Sequence, residues 1–143
     1  PRGRRSVGPV AAAVRYGSNY SSGPADDVLC IVMIETAQAV ERVDEILAVP
    51  GIDAVYIGPA DLSLTLGLPS AKDQTDPRFH EALARVVDAC RRHGVVPGVH
   101  ASSALAAARL AAGFRLIATG FDIGPVTAAF AADLTASRRA AAD

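Results

Sequence analysis

The chain has 143 residues, of which 50% are hydrophobic and 20% are charged, and its formal net charge at pH 7 is −1. This composition excludes an intrinsically disordered chain, and the near-neutral charge argues against a protein that grips nucleic acid through phosphates. No run of about 18 apolar residues occurs, so we expect no membrane-spanning helix.

The start of the chain and its cysteines bear on processing and compartment. Pro1 is not an initiator residue, which predicts a processed chain or a piece of a longer one, and residues 1–27 are expected to form an entry loop segment. Cys30 and Cys90 lie inside apolar segments without metal-ligand spacing. This pattern favours buried free thiols and a cytoplasmic protein.

Short apolar runs alternate with longer amphipathic ones from residue 28 onward, which predicts alternating strands and helices. Capping signals mark several ends, such as the Asp76-Pro77 helix start and Gly94 as a helix stop. In chain order we predict a strand at Val28–Ile34, a helix at Ala37–Ala48, a strand at Asp53–Ile57, a helix from Asp76-Pro77 to about His93, a strand at Val95–Val99, a helix from Ser102/Ser103 to Gly113, a strand at Phe114–Ala118 and a final helix opened by Pro125.

The β-α-β-α-β-α-β-α order predicts an α/β fold with a parallel sheet and helical crossovers. Periodicity alone leaves two closures open, an open doubly wound sheet or part of an eight-stranded barrel. A full barrel needs about 250 residues, so four β-α units are about half of one. No glycine fingerprint follows the first strand in Ile34–Ala37, and no Walker loop occurs, which argues against nucleotide binding.

Four ionisable residues follow the four predicted strands at their carboxyl ends: Glu35, Asp61, His100 and Asp122. Parallel α/β folds place their active sites at this edge of the sheet. Each residue alone has a second interpretation as a helix-capping or solvent-exposed group. As a pair on adjacent strands, however, Glu35 and Asp61 match the oxygen ligands that Mg²⁺ or Mn²⁺ takes in proteins.

Several segments together resemble the HpcH/HpaI aldolase family. They are Ile34–Thr36, Val43–Leu47, the long block Gly51–Ser63, and the opening Pro1–Pro9, which is similar to the loop before the fifth barrel strand. The family comprises class II, metal-dependent 2-keto acid (pyruvate) aldolases of the 4-hydroxy-2-oxoheptanedioate aldolase type. The resemblance implies the C-terminal half of a (β/α)8 TIM barrel of the phosphoenolpyruvate/pyruvate superfamily, with strands 5–8 and their helices in residues 1–143.

The resemblance also implies a function and its residues. Glu35 and Asp61 would bind a divalent metal ion (Mg²⁺, Mn²⁺ or Co²⁺), and Ala60 with Asp61 would bind the 2-keto acid substrate. The metal would act as a Lewis acid while a 2-keto-4-hydroxy acid is cleaved to pyruvate and an aldehyde. No lysine Schiff base is needed, and the single lysine, Lys72, lies in a polar loop.

The chain departs from the family pattern in two respects. Some members carry a substrate-binding glutamine two residues before the glutamate, where this chain has Met33. The general-base histidine and the oxyanion-stabilising arginine of the family come from the first four strands, so the catalytic residues of this chain are unknown. His100 is a candidate for the pocket that receives the aldehyde, with a solvated rim histidine as the alternative.

Two other functions remain open from the sequence. One is a citrate or malyl-coenzyme A type of carbon–carbon lyase, and the other is a truncated, non-catalytic fragment. We expect this chain alone to be inactive. The resemblance implies a homo-oligomer, a hexamer in the family with exchanged C-terminal helices, which binds neither nucleic acid nor a membrane.

Overall fold

The computed structural model describes Val14 and residues 28–140, so the predicted entry segment at 1–27 lies outside the described residues apart from Val14. The strands are β1 (Ile31–Ile34), β2 (Ala54–Ile57), β3 (Val96–His100) and β4 (Leu116–Ala118). The helices are α1 (Ala37–Glu41), α2 (Val43–Leu47), α3 (Pro59–Thr65), α4 (Pro77–His93), α5 (Ala106–Ala111) and α6 (Ile123–Ala140), with a 3-10 helix at Ser103–Leu105 before α5.

The four strands form one parallel sheet in the unbroken order β1-β2-β3-β4. A doubly wound sheet reverses its strand order at a switch point and carries helices on both faces. Here the order does not reverse, and among the described residues the buried core lies on the face that the helices cover. The arrangement is therefore an arc of a partial TIM barrel, which decides between the two closures that the sequence left open.

The outer face of the sheet, defined here as the face covered by helices, carries alternate residues of each strand. Ile34, Ile57 and Val99 are neighbours in register and are almost completely buried there. They pack against side chains of the surrounding helices, among them Val43, Phe79, Leu83 and Val86. Burial of this apolar surface is the main stabilising contribution to the fold.

The inner face, defined as the opposite face, is more exposed than the sequence of β1 indicates. A continuous apolar run such as Val28–Ile34 is typical of a strand buried on both faces, yet Ile31 and Met33 are 46% and 56% exposed. Their strand alternates between the two faces, and helices cover only the outer one among the described residues. The inner face of a closed barrel is filled by branched and other apolar side chains, which accounts for the apolar sequence.

Helix α4 has the ends that its sequence predicted. The Asp76 carboxylate accepts a hydrogen bond from the backbone N–H of Arg78, and Pro77 occupies the first helical position. Gly94 ends the helix in the left-handed conformation, with φ of 68°. Its neighbour Val95 donates its N–H to the Cys90 carbonyl, so the strand begins at Val96 rather than at Val95.

Other predicted elements differ in their bounds. The single helix expected at Ala37–Ala48 is two helices, α1 and α2, because Arg42 departs from helical geometry with φ of −101° and ψ of 18°. The helix expected from Ser102 starts as a 3-10 turn, and Ser102 makes no side-chain cap. β1 begins at Ile31 and β4 at Leu116, each two or more residues later than predicted.

Two further expectations are corrected at exposed positions. Cys90 is buried, but Cys30 is exposed because it precedes β1 at the edge of the described sheet. Helix α6 begins at Ile123, two residues before Pro125, and its residues are exposed along the whole length. Within residues 28–140, none of the helices combines the length and apolar character needed to cross a membrane.

Candidate metal and substrate site

Glu35 lies at the carboxyl end of β1, on the inner face. The residue before it, Ile34, points to the outer face and is 1% exposed. Because side chains alternate along a strand, Glu35 shares the inner face with Met33. The Glu35 side chain is only half-buried, so its carboxylate is accessible from the open inner side.

Gly58 lies directly against the Glu35 side chain. A Cβ atom at Gly58 would approach Glu35 Oε2 to 3.0 Å, Glu35 Cβ to 3.3 Å and Met33 Sδ to 3.8 Å. Gly58 follows β2 as Glu35 follows β1, since Ile34 and Ile57 are paired in register. The absence of a side chain at residue 58 therefore leaves the space that the Glu35 carboxylate occupies.

Asp61 lies in the first turn of α3, three residues after Gly58. Gly58 is the N-cap of this helix and Pro59 its first residue, so the Gly-Pro pair turns the chain off the strand and starts the helix at once. A carboxylate in the first turn interacts favourably with the helix dipole. Asp61 is exposed, and Gly58 thus contacts Glu35 while it caps the helix that carries Asp61.

Ala60, the predicted substrate contact, is the second residue of α3. N–H groups in the first turn of a helix have no acceptor within the helix, so that of Ala60 is available to an anion. Its carbonyl accepts a hydrogen bond of 3.4 Å from the Ser70 hydroxyl, which connects this turn to the following loop.

The two predicted metal ligands have no competing cation among the described residues. The ion pairs of residues 28–140 use Asp44, Glu45, Asp76 and Asp88, and none includes Glu35 or Asp61. Nor does this part of the chain bring together three or more acidic, histidine or cysteine side chains suited to a metal ion. Two carboxylates with the remaining positions filled by water and substrate suit Mg²⁺ or Mn²⁺, so the donor set fits.

His100 ends β3 on the same inner face, one residue beyond Val99, which pairs with Ile57. It is 7% exposed, and its Nδ1 atom is buried without a hydrogen-bond partner among the described residues. The ring of Phe121 stacks on the imidazole, with centroids 4.8 Å apart and planes inclined by 15°. The structure thus gives a packed histidine at this position, and not the freely solvated one that was the alternative.

The other polar residues considered from the sequence have separate contacts. Asp122 precedes α6, and its carboxylate accepts the N–H of the next residue, Ile123, at 2.9 Å. His93 contacts Asp44 on the helical exterior at 3.0 Å, and His80 is exposed on α4. Neither histidine is on the inner face, since both lie on α4.

Three contributors to this region escaped the sequence analysis. Phe121 stacks on His100, and Asp73 reaches from the loop after α3 to accept the Ser102 N–H at 3.2 Å. Thr65 contacts the segment after β1. A Gly-Pro turn signals the special position of Gly58, but no local pattern identifies Phe121, Asp73 or Thr65, because their contacts depend on residues about 20 to 30 positions away along the chain.

Comparisons with known proteins agree with this architecture. A family model described as HpcH/HpaI aldolase/citrate lyase matches residues 4–129. The hydroxypyruvate/pyruvate aldolase of Rhizorhabdus wittichii is 38% identical over 130 residues, which cover 90% of this chain and 52% of that protein. The 2-keto-3-deoxy-L-rhamnonate aldolase of Salmonella typhimurium is 39% identical over 130 residues, covering 85% of this chain and 46% of that protein.

Solved structures of proteins in this family have a similar fold. The crystal structure of an HpcH/HpaI aldolase/citrate lyase family protein from Burkholderia cenocepacia superposes with a TM-score of 0.73 at 33% identity, over 96% of this chain and 54% of that one. The HpcH/HpaI aldolase of Desulfitobacterium hafniense has the same TM-score and the same coverage at 28% identity. The chain thus spans about half the length of the relatives that it matches.

Proposed function

The chain belongs to the HpcH/HpaI aldolase/citrate lyase family, and on that premise we propose that it forms the metal-binding half of the active site of a divalent-metal-dependent aldolase. The observation that carries the proposal is the placement of Glu35 and Asp61. They follow adjacent parallel strands, connected by the Glu35–Gly58 contact and the α3 turn, and neither forms an ion pair within the described residues.

The proposed reaction is the cleavage of a 2-keto-4-hydroxy acid to pyruvate and an aldehyde. The bond between C3 and C4 breaks, the hydroxyl on C4 loses its proton to a base and becomes the aldehyde, and C3 gains a proton to give the methyl group of pyruvate. The two relatives at 38–39% identity carry the names of a hydroxypyruvate/pyruvate aldolase and a 2-keto-3-deoxy sugar acid aldolase, which supports this class over a coenzyme A thioester lyase.

Glu35 and Asp61 would hold the metal ion, with Mg²⁺, Mn²⁺ or Co²⁺ as candidates. When bound, such an ion stabilises the negative charge that develops on the keto oxygen. Ala60 precedes Asp61 in the first turn of α3. Its N–H would donate a hydrogen bond to the carboxylate of the keto acid. The substrate is thus oriented by α3, whose position is set by the Gly58-Pro59 turn.

His100 would contact the aldehyde portion of the substrate. It ends the strand next to β2, and its Nδ1 atom has no partner among residues 28–140. Burial of an unsatisfied polar atom costs free energy, and a bound hydroxyl or carbonyl group would remove that cost. The stacked Phe121 ring holds the imidazole plane in place.

Metal binding tests the proposal directly. In a calorimetric titration with Mn²⁺, we expect the wild-type chain to bind and Asp61→Ala to lose most of the affinity. The control is Asp88→Ala, which removes an exposed carboxylate from α4 and should bind as the wild type does. Equal affinities in wild type and Asp61→Ala would refute the metal assignment.

The second part of the proposal concerns the catalytic activity of the isolated chain. We propose that the general base comes from outside the described residues, since His80 and His93 lie on α4 and His100 is assigned to a hydrogen bond with the aldehyde portion of the substrate. The 143-residue chain should therefore release negligible pyruvate from 4-hydroxy-2-keto acids in a coupled lactate dehydrogenase assay. Robust pyruvate release that depends on Mn²⁺ would contradict this assignment of the base.

A further inference from the structure

One side chain connects the two segments that carry the proposed metal ligands. The Thr65 hydroxyl, in the last turn of α3, accepts a hydrogen bond of 3.0 Å from the backbone N–H of Ala37. The same oxygen lies 3.0 Å from the Leu62 carbonyl and 3.5 Å from the Glu35 carbonyl, so its proton is donated to Leu62. Thr65 thus reaches from the helix of Asp61 to the segment of Glu35.

We propose that Thr65 is a positioning residue for the metal site, which fixes the segment after β1 against α3. The inference rests on the proposed function, because it concerns how Glu35 and Asp61 are held in place. Thr65 itself touches neither metal nor substrate in this proposal. It acts through the backbone of residues 35–37 and through α3, which begins at Pro59, two residues before Asp61.

The Ala37 N–H needs an acceptor from outside its own helix. Ala37 is the first residue of α1, where backbone N–H groups have no intrahelical partner. The usual capping side chain, Thr36, is already used, because its hydroxyl accepts the N–H of Ala39 at 3.0 Å. The start of α1 is therefore capped by its own Thr36 and by Thr65 from the neighbouring strand-helix unit.

The position of this bond favours a role at the site over a general contribution to packing. Thr65 is exposed, and so contributes little to the buried core. Its partner Ala37 is two residues from Glu35. The carboxylate of Glu35 lies beside Gly58, the residue between β2 and α3. Glu35 thus lies between two features of the β2–α3 unit, the backbone of Gly58 beside its carboxylate and the hydrogen bond from Ala37 to Thr65.

The chain offers a matched control on the same helix. The Ser63 hydroxyl is completely buried and donates a hydrogen bond of 2.7 Å to the Pro59 carbonyl, within α3 itself. Ser63→Ala therefore removes a hydroxyl two residues from Thr65 without touching the segment of Glu35. Any effect shared by both variants reflects the stability of α3 and not the link between the two segments.

The test compares Thr65→Val, Thr65→Ser and Ser63→Ala in the whole chain, by amide hydrogen exchange of Ala37 without metal and by Mn²⁺ calorimetry. Thr65→Val should speed the exchange of the Ala37 amide and weaken Mn²⁺ binding about tenfold, as loss of a residue that supports a metal ligand does. Thr65→Ser keeps the acceptor and should have the wild-type exchange rate of the Ala37 amide and the wild-type Mn²⁺ affinity. Ser63→Ala should also resemble the wild type in both measurements.

A second variant removes the same bond from its other end. Proline is well tolerated at the first position of a helix, and the extended backbone of Thr36 (φ −128°, ψ 147°) suits a residue before proline. Ala37→Pro is therefore compatible with the backbone of α1, and because the proline Cδ would occupy the position of the N–H that points at Thr65, it should weaken Mn²⁺ binding at least as much as Thr65→Val does. The double variant should be no weaker than Ala37→Pro alone, since both substitutions remove one interaction.

The outcomes separate the two proposals. If the wild type binds Mn²⁺ and both Thr65→Val and Ala37→Pro bind it equally well, the positioning role is refuted while the metal site stands. If Ser63→Ala weakens binding as much as Thr65→Val, the effect belongs to the stability of α3 and the positioning role is again refuted. A wild-type chain that binds no Mn²⁺ refutes the proposed function and this inference together.

Discussion

The two faces of the sheet differ in what their residues contribute. The outer face carries Ile34, Ile57 and Val99, which are buried beneath the helices. The inner face carries Glu35 and His100 at the strand ends, next to side chains as exposed as Met33. Alternation along the same short strands thus divides stability and chemistry between opposite faces, so a substitution should affect one and largely spare the other.

The largest expected effect lies on the outer face. Phe79 is completely buried in the core, so Phe79→Ala should lower the free energy of unfolding by about 3–5 kcal/mol, measured by urea denaturation. Met33→Ala, on the inner face, should change it by less than about 0.5 kcal/mol because that side chain is largely solvent-exposed. Equal losses in the two variants would show that the inner face is also packed in solution.

A glycine on the inner face should nevertheless be needed for stability. A Cβ atom at Gly98 would lie 2.5 Å from the Val55 carbonyl oxygen and 3.0 Å from Leu116 Cδ2. Backbone cannot yield as a flexible side chain does, so Gly98→Ala should destabilise the fold by about 1–3 kcal/mol in the same denaturation assay. Wild-type stability in this variant would mean that β2 and β3 are further apart than described.

Gly58→Ala should weaken metal binding with little change in the stability of the fold. The added methyl group would meet Glu35 Oε2 at 3.0 Å, an atom that moves easily, so unfolding by urea should change little. Displacement of the carboxylate should weaken Mn²⁺ binding about tenfold in a calorimetric titration. Gly67→Ala is a poor control because φ is +72° there, whereas Gly120→Ala meets no neighbouring atom and should bind Mn²⁺ as the wild type does.

A further expected effect is a pH dependence in the stability of the outer-face core. Burial raises the pKa of the Cys90 thiol from 9.0 to about 11. Between those values the unfolded chain loses the proton and the folded chain keeps it, so this contribution to stability is present below pH 9 and is lost as the pH approaches 11. Cys90→Ala should show a shallower decline in urea stability over this range, and an unchanged slope would contradict the prediction.

Much of the fold followed from local pattern. The capping signals at Asp76-Pro77 and Gly94 predicted the ends of α4 because those residues act on their immediate neighbours. Prediction was weaker where no glycine, proline or capping side chain marks the end of an element. The Arg42 break between α1 and α2 has no glycine or proline to announce it, and the start of β3 depends on the Val95 N–H closing onto Cys90.

The sequence predicted only part of the candidate site. Glu35, Asp61 and His100 were identified because parallel strands bring their carboxyl ends to one edge, a consequence of topology that the β-α order already implies. Asp122 was placed in the same group, and the structure shows its carboxylate bonded to the N–H of Ile123, the first residue of α6. The Phe121 stack and the Thr65 bridge could not be predicted, since each joins residues from different strand-helix units.

By itself, the sequence determined the class of the fold and the identity of the proposed metal ligands. Apolar runs and capping residues act locally, and two carboxylates after adjacent strands suit a hard divalent cation. Only the tertiary structure decided that the sheet is an arc with one face covered by the described helices, and that Thr65 accepts a hydrogen bond from Ala37 beside Glu35. Those features arise from contacts between residues distant in the chain, whose geometry no local pattern contains.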